Sequence, residues 1–207
     1  MSLVFNMVGG GSSVEDTMVL DALISGEIGG YYSNDRVTRI GPYSFANKPV
    51  NSVSFNSVIS IGDNAFLNCY SLSSVSFNSA EDIGDSAFSD CNSLASASFP
   101  NLYRIRNNAF GGCSSLEKIS FPKADSIGAY TFAFCSSLIA LILGRPDGLC
   151  ELFETSAFKD TPIEYGRGYI YVPAALVGMY KADTSWHVYA GQIRAIEDYP
   201  DICGGTA

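Results

Sequence analysis

Six cysteines and one histidine are the residues best suited to chemistry in this 207-residue chain. Cys69, Cys91, Cys113 and Cys135 recur at intervals of 22 residues. Metal centres draw on close pairs such as Cys-x2-Cys with a second closing pair, and no such pair occurs. Equal spacing reads instead as one small apolar residue repeated at the same place in a repeated unit. Disulfides within such a ladder would need a geometry that side-by-side strands seldom offer. Cys150 and Cys203 fall outside the series, and Cys203 reads as an exposed thiol. His187 is the sole histidine. A serine or cysteine nucleophile would need it as a base, with a third group to orient it. Beside Trp186 it reads as a structural residue. No Gly-x-Ser-x-Gly elbow is present, although serines abound.

The remaining polar groups are equally unpromising as catalysts. Glu81, Asp82, Asp85 and Asp90 lie close together but do not match an Asp-x-Asp-x-Asp-Gly cation loop, so they read as turn and solvent residues. Glu151, Glu154, Glu164, Glu197, Asp198 and Asp201 make the last third acidic, which serves solubility. Gly9-Gly10-Gly11-Ser12-Ser13 lacks the lysine of a phosphate loop and reads as a linker. No cofactor and no metal are expected, and an enzyme is disfavoured for want of convergent polar groups.

These residues are positioned by a repeat. Phenylalanines fall at Phe66, Phe88, Phe110 and Phe132, leucines at Leu72, Leu94, Leu116 and Leu138, and isoleucines at Ile61, Ile83, Ile105 and Ile127. All share the 22-residue period and phase of the cysteines. The unit reads Ile-Gly-x-x-Ala-Phe-x-x-Cys-x-x-Leu-x-x-Val-x-Phe, as in Ile61 to Phe77. An earlier copy opens at Ile40-Gly41-Pro42-Tyr43-Ser44-Phe45. A later, degenerate copy has Phe153 and Phe158 in the Ile and Phe slots, after an insertion near Gly144-Arg145-Pro146-Asp147-Gly148. About six coils result.

The motif resembles the BspA-like class of bacterial surface leucine-rich repeats over roughly residues 37 to 163. Departures are Arg106 in place of the glycine, and Pro100 and Pro122 after the strand where Asn56 and Asn78 stand earlier. The resemblance implies adhesion or host-protein binding, often within a larger surface protein.

The expected fold is a leucine-rich-repeat solenoid, mainly β, with a parallel sheet of stacked coils and short helical or strand caps. A single coil cannot bury its own apolar face, so stacking completes the core. Val75-Ser76-Phe77 alternates in, out, in, and its counterparts are Val53-Ser54-Phe55, Ala97-Ser98-Phe99 and Ile119-Ser120-Phe121. Gly62, Gly84 and Gly128 are expected at sharp bends needing unusual backbone angles. Asp63, Asp85 and Asn107 suit turns that bond nearby amides. Residues 1–30 read as a flexible N-terminus and cap, with residues 14–23 a short helix or opening strand. Residues 31–165 form the solenoid. Residues 166–200 read as a strand-helix cap, with Tyr169–Val172 as the last strand and a helix after Pro173. Residues 201–207 read as a mobile tail, all within one structural domain.

The outward face of the strands is the candidate contact surface. One row runs Ser52, Ser74, Ser96, Lys118 and Ala140, and the other Ser54, Ser76, Ser98, Ser120 and Ile142. With Ile139, the far end turns apolar. Serine-lined faces lack the Trp, Tyr and Arg anchors that dominate binding energy. The preferred reading is therefore a bland wall with binding through loops and caps. The rival is a contact patch at Ile139–Ile142.

Composition narrows the partner. The chain is 47% hydrophobic and 16% charged, against roughly 25% charged in an average globular chain. Its net charge of -9 disfavours nucleic acid and anionic membrane surfaces. No apolar run approaches the roughly 20 residues that span a bilayer, so membrane insertion is not expected. The first eight residues lack a signal peptide's positive region. A protein partner is expected. The favoured function is a non-enzymatic interaction or adhesion module of a bacterium, at the cell surface or secreted by resemblance. A structural part of a phage or prophage particle, made in the cytoplasm, is the alternative.

Overall fold

In the computed structural model, residues 19–20, 31–33 and 37–204 are described. The expected opening segment thus lies largely outside the described residues, apart from a two-residue strand at Val19–Leu20.

Each coil contributes two strands rather than one. The Ile slot, expected only as a ladder of side chains, is itself a short strand, and in the sixth coil Leu152 fills it, not Phe153 as the spacing suggested, because Ile127 pairs with Leu152. Val19–Leu20, Arg39–Ile40, Ser60–Ile61, Asp82–Ile83, Arg104–Ile105, Ser126–Ile127 and Glu151–Leu152 form a seven-stranded parallel sheet in that order. The Val-x-Phe segments build the opposite wall. Tyr31–Ser33, Ser52–Ser54, Ser74–Ser76 and Ser96–Ser98 pair in parallel, and Lys118–Phe121, Ala140–Leu143, Tyr169–Val172 and Ile193–Ala195 form a second four-stranded run. Register is strict: Val53 pairs with Val75 and Val75 with Ala97. A shift of one residue would turn every serine inward, so burial of the Val and Phe columns fixes it.

Between the walls lie two columns of phenylalanine. Phe45, Phe66, Phe88, Phe110, Phe132 and Phe158 stack with centroids 4.8 to 5.8 Å apart. Phe55, Phe77, Phe99 and Phe121 form a second stack, meeting the first at steep angles, as between Phe66 and Phe77 (62°). Offset stacks and edge contacts are the favoured aromatic arrangements. The four periodic cysteines fill the adjoining corner, fully buried and free. Each thiol donates to a carbonyl of the preceding coil: Cys69 to Phe45 (3.0 Å), Cys91 to Phe66 (3.2 Å), Cys113 to Phe88 (3.2 Å) and Cys135 to Phe110 (3.0 Å). Burial pushes the Cys69 thiol up to about 12 and raises Cys91 and Cys113 in the same direction.

The glycines earn their slot for a reason other than the expected one. Left-handed backbone falls elsewhere, on residues such as Asn47, Asn64, Asn68, Asp90 and Asn108, types that tolerate it, and on Gly112 in the slot of Asn68 and Asp90. Gly62, Gly84 and Gly128 are needed because coils approach there. A Cβ on Gly84 would lie 2.6 Å from Asp63 N and 2.7 Å from Gly62 C, and one on Gly128 would lie 2.7 Å from Asn107 N. Nor do Asp63, Asp85 and Asn107 bond within their own turns. Asp63 Oδ1 accepts from Asp85 N–H, Asp85 Oδ1 from Asn107 N–H and Asn107 Oδ1 from Ala129 N–H, at 2.9 to 3.0 Å, so they tie each coil to the next.

One seam interrupts the long-strand wall, while the short-strand sheet runs on across it. No ladder joins Ser96–Ser98 to Lys118–Phe121. Arg106 occupies the glycine slot at this junction, and its N–H to Ile83 carbonyl bond is 3.2 Å, against 2.8 Å for the same bond at Gly84. The Phe99–Phe121 centroids are 6.3 Å apart, against 5.7 Å for Phe77–Phe99. Ala97, where neighbouring coils have Val75 and Ile119, is only half-buried. The extra Cβ of Arg106 and the missing methyls of Ala97 loosen the same interface.

The far end is plugged by Trp186, Tyr180 and Tyr189, packed on Phe158 and one another. A short helix, Val177–Ala182, follows Tyr169–Val172. Tyr169–Val172 is not the last strand, because Ile193–Ala195 pairs beyond it. Residues 201–203 do not form a loose tail either. Pro200–Cys203 is a helical turn lying on the outward face of the second run of strands.

Candidate functional site

The serine rows stand where the alternation puts them, on the outward face. Ser96 and Ser98 are exposed, beside the seam, while Ser74, Ser76 and Ser120 are half-buried among their stacked neighbours. Ser76 Oγ donates weakly to Asn78 Oδ1 at 3.4 Å. Lys118 is exposed along its stem, but its Nζ donates to the Ile202 carbonyl at 3.0 Å.

The apolar end of this face is not open. Ala140 and Ile142 are each only 4% exposed. With Tyr171 they form a small apolar cluster, covered by Ile196 and Cys203. Tyr199 adds an edge contact to Tyr171 (5.3 Å). Burial raises the Tyr171 phenol and the Cys203 thiol, the latter being half-buried rather than freely exposed. Of the proposed patch, only Ile139 remains exposed. The sequence pattern suggested an open apolar end here, and the chain covers it with its own C-terminal segment.

Residues the sequence reading passed over are more prominent. Tyr130, Phe134, Phe153 and Tyr165 are all exposed, and all belong to the fifth and sixth coils. Tyr130 and Phe134 occupy left-handed turn positions. In the first coil those slots hold Tyr43, itself exposed, and Asn47; in the second to fourth they hold Asn64, Ser86 and Asn108, or Asn68, Asp90 and Gly112. An aromatic side chain in a polar slot was the available signal. Lys159 Nζ lies 5.8 Å from the Phe134 ring and Arg167 lies 5.6 Å from the Tyr165 ring. Tyr165 Oη donates to Asp160 Oδ1 at 2.6 Å. These contacts fix the rings without covering them.

Among the described residues, no three His, Cys, Asp or Glu side chains are grouped to hold a metal ion. His187 Nδ1 meets the Thr184 carbonyl at 2.7 Å, a contact local to its own turn. No helix of the described residues is long and apolar enough to cross a membrane.

Six tandem copies of the BspA type leucine rich repeat region match residues 38–164, and the chain belongs to this family. One solved structure agrees in fold, and two others are similar over part of their length. A leucine-rich repeat protein of T. pallidum is 27% identical with a TM-score of 0.54, covering 68% of this chain. A leucine-rich cell surface protein of Faecalibacterium prausnitzii is 23% identical (TM-score 0.49, 77% covered), and a leucine-rich repeat protein of Bacteroides ovatus is 18% identical (TM-score 0.47, 78% covered). The chain spans 64%, 43% and 46% of those three chains respectively. No curated protein matches it.

Proposed function

We propose that this chain is an adhesion module of a bacterial surface that binds a protein partner through the exposed aromatic residues of its fifth and sixth coils. The observation that carries the reading is the set Tyr130, Phe134, Phe153 and Tyr165, exposed on two adjacent coils of a rigid stack. Aromatic side chains with few free torsions are the usual anchors of protein interfaces. A serine wall contributes shape but little energy, so Ser74, Ser76, Ser96, Ser98 and Ser120 serve at most as a flank. Family membership supports a binding role, since repeat solenoids offer extended contact surfaces.

The test has two steps. Fractionation of the native host with an antibody to the repeats should find the protein at the surface or in the medium. Capture of host matrix proteins should then fall sharply for the Phe134→Ala, Phe153→Ala double variant. Recovery only from the cytoplasm, or from particles after prophage induction, would replace adhesion by the phage-component reading.

A further inference from the structure

The largest departure from the 22-residue period creates a cleft. Ile127 and Leu152 are 25 residues apart, and the extra length forms the loop around Arg145-Pro146-Asp147. With Tyr103, Pro122, Lys123 and Asp125 from the two preceding coils, this loop borders an open cleft of about 510 Å³. It lies on the corner where each coil passes from the long-strand wall to the short-strand wall. Tyr130 and Phe134 follow the short strand, at the other corner.

The loop is braced. Arg145 Nε donates to Asp147 Oδ1 at 3.0 Å, and its Nη1 donates to Asp125 Oδ1. Each guanidinium contact engages one oxygen, Oδ1, of its carboxylate. Those carboxylates are well exposed, at 59% for Asp125 and 76% for Asp147. The Tyr103 ring is exposed between the prolines and the charged groups, with Lys123 Nζ 6.0 Å from its centroid.

A polar ridge leads to the cleft along the same corner. Asn78 Nδ2 donates to Asn56 Oδ1 (2.6 Å), Asn101 Nδ2 to the Asn78 carbonyl (2.7 Å), and Lys123 Nζ to Asn101 Oδ1 (2.6 Å). Asn56, Asn78 and Lys123 of this run are exposed and Asn101 is half-buried.

We infer that this corner is a saccharide-binding site, with Tyr103 as the ring platform and Asp125, Asp147 and Lys123 as hydroxyl partners. Sugars present an apolar ring face beside a dense set of hydroxyls. The cleft matches both halves: an aromatic face for the first, and exposed acceptors and donors for the second. Lys123 and Arg145 balance Asp125 and Asp147, so within a chain of net charge -9 the cleft is locally neutral. That balance selects a neutral sugar over an acidic one. An extended peptide would want a free strand edge, and here the neighbouring short strands are all paired. The asparagine ridge lets a chain of several sugars lie across successive coils.

The test uses the full chain on an array of neutral and acidic oligosaccharides, followed by calorimetric titration with the strongest neutral ligand. Binding should fall by about tenfold or more in Tyr103→Ala, the loss of one good contact. It should also fall in Asp147→Asn. Tyr70→Ala and Phe134→Ala, exposed aromatics elsewhere, should bind like the parent, which separates this site from the protein-binding surface proposed above. Thermal unfolding of each variant checks the fold, and because Tyr103 is exposed, its removal should leave the transition in place. A blank array, a preference confined to acidic glycans, or binding indifferent to Tyr103→Ala would each overturn the proposal.

Discussion

Trp186 Nε1 donates to the Cys150 carbonyl at 2.7 Å, and the Cys150 N–H donates to Tyr180 Oη at 2.8 Å. In the coil before, the corresponding amide, Asp125 N–H, bonds to the Tyr103 carbonyl. The inserted loop turns Cys150 away from such a partner, and the aromatic plug of the cap satisfies its backbone instead. Burial raises the Tyr180 phenol, so it stays neutral while it accepts this bond.

Tyr180→Phe should therefore cost more than its lost hydroxyl suggests. It leaves the Cys150 N–H buried without a partner, a penalty of about 1–3 kcal/mol. Urea denaturation should show a lower midpoint with an unchanged slope. An unchanged midpoint would mean that water reaches Cys150.

The contrast between two glycines tests the close-approach argument. Gly84→Ala places a Cβ against backbone atoms of the preceding coil and should destabilise by about 1–3 kcal/mol, as overpacking does. Gly178→Ala, in the helix Val177–Ala182, meets nothing within 4 Å and should stabilise by about 0.5–1 kcal/mol. If both behave alike, the glycine column is conformational after all.

The solenoid, the period and the inward columns were legible because stacking repeats the same physics in every coil, from Phe66 to Phe132. What one coil does differently was harder to read. The pattern placed Ile142 on the outward face, but nothing in the spacing says that Ile196 and Cys203 return to cover it. That contact joins segments more than 50 residues apart. Tyr130 and Phe134 were legible in principle, as aromatics in slots that the second to fourth coils fill with Asn, Asp, Ser or Gly. The two-strand coil escaped notice because a strand such as Ser60–Ile61 is too short to show alternation.

The seam should yield to a single core change. Ala97→Val restores the methyls found at Val75 and should tighten the junction between the third and fourth coils. Burying one or two methyl groups contributes about 0.8 kcal/mol each. Hydrogen exchange at Ser96 to Phe99 and Lys118 to Phe121 should slow relative to the parent. Unchanged exchange would assign the missing ladder to Arg106 alone.

The thiol ladder predicts a loss of stability in alkali. Burial raises the folded pKa of Cys69 to about 12, and raises Cys91 and Cys113 as well, whereas an unfolded thiol titrates near 8.5. The neutral form is the one the fold holds. Stability is thus fully present below about pH 8.5 and falls as pH rises and the unfolded state sheds protons. Each such thiol steepens the decline by up to about 1.4 kcal/mol per pH unit. Cys91→Ala should flatten the decline between pH 9 and 11, after allowing for its own packing loss at neutral pH. A profile identical to the parent's would mean that the buried thiol ionises in place.

Truncation after Ala195 should convert the covered apolar cluster into a sticky one. The segment that follows is fastened to the wall by few contacts: Ile196 and Cys203 on Ala140, Ile142 and Tyr171, the Tyr199 ring on Tyr171, and the Lys118 bond to Ile202. Glu197 Oε2 also accepts from the Ala174 N–H at 2.9 Å. None of these residues belongs to the phenylalanine columns, and the cap residues Trp186, Tyr180 and Tyr189 all precede the cut. The truncated chain should keep its far-ultraviolet spectrum and most of its thermal stability. It should also bind a hydrophobic dye and elute earlier on gel filtration as concentration rises, because the uncovered strands present an apolar face. Ile142→Ser in the truncated chain should reverse both effects. A truncated chain that unfolds would show that the segment is part of the cap. One that stays monomeric and dye-free would show that Ala140, Ile142 and Tyr171 are too small a patch to need covering.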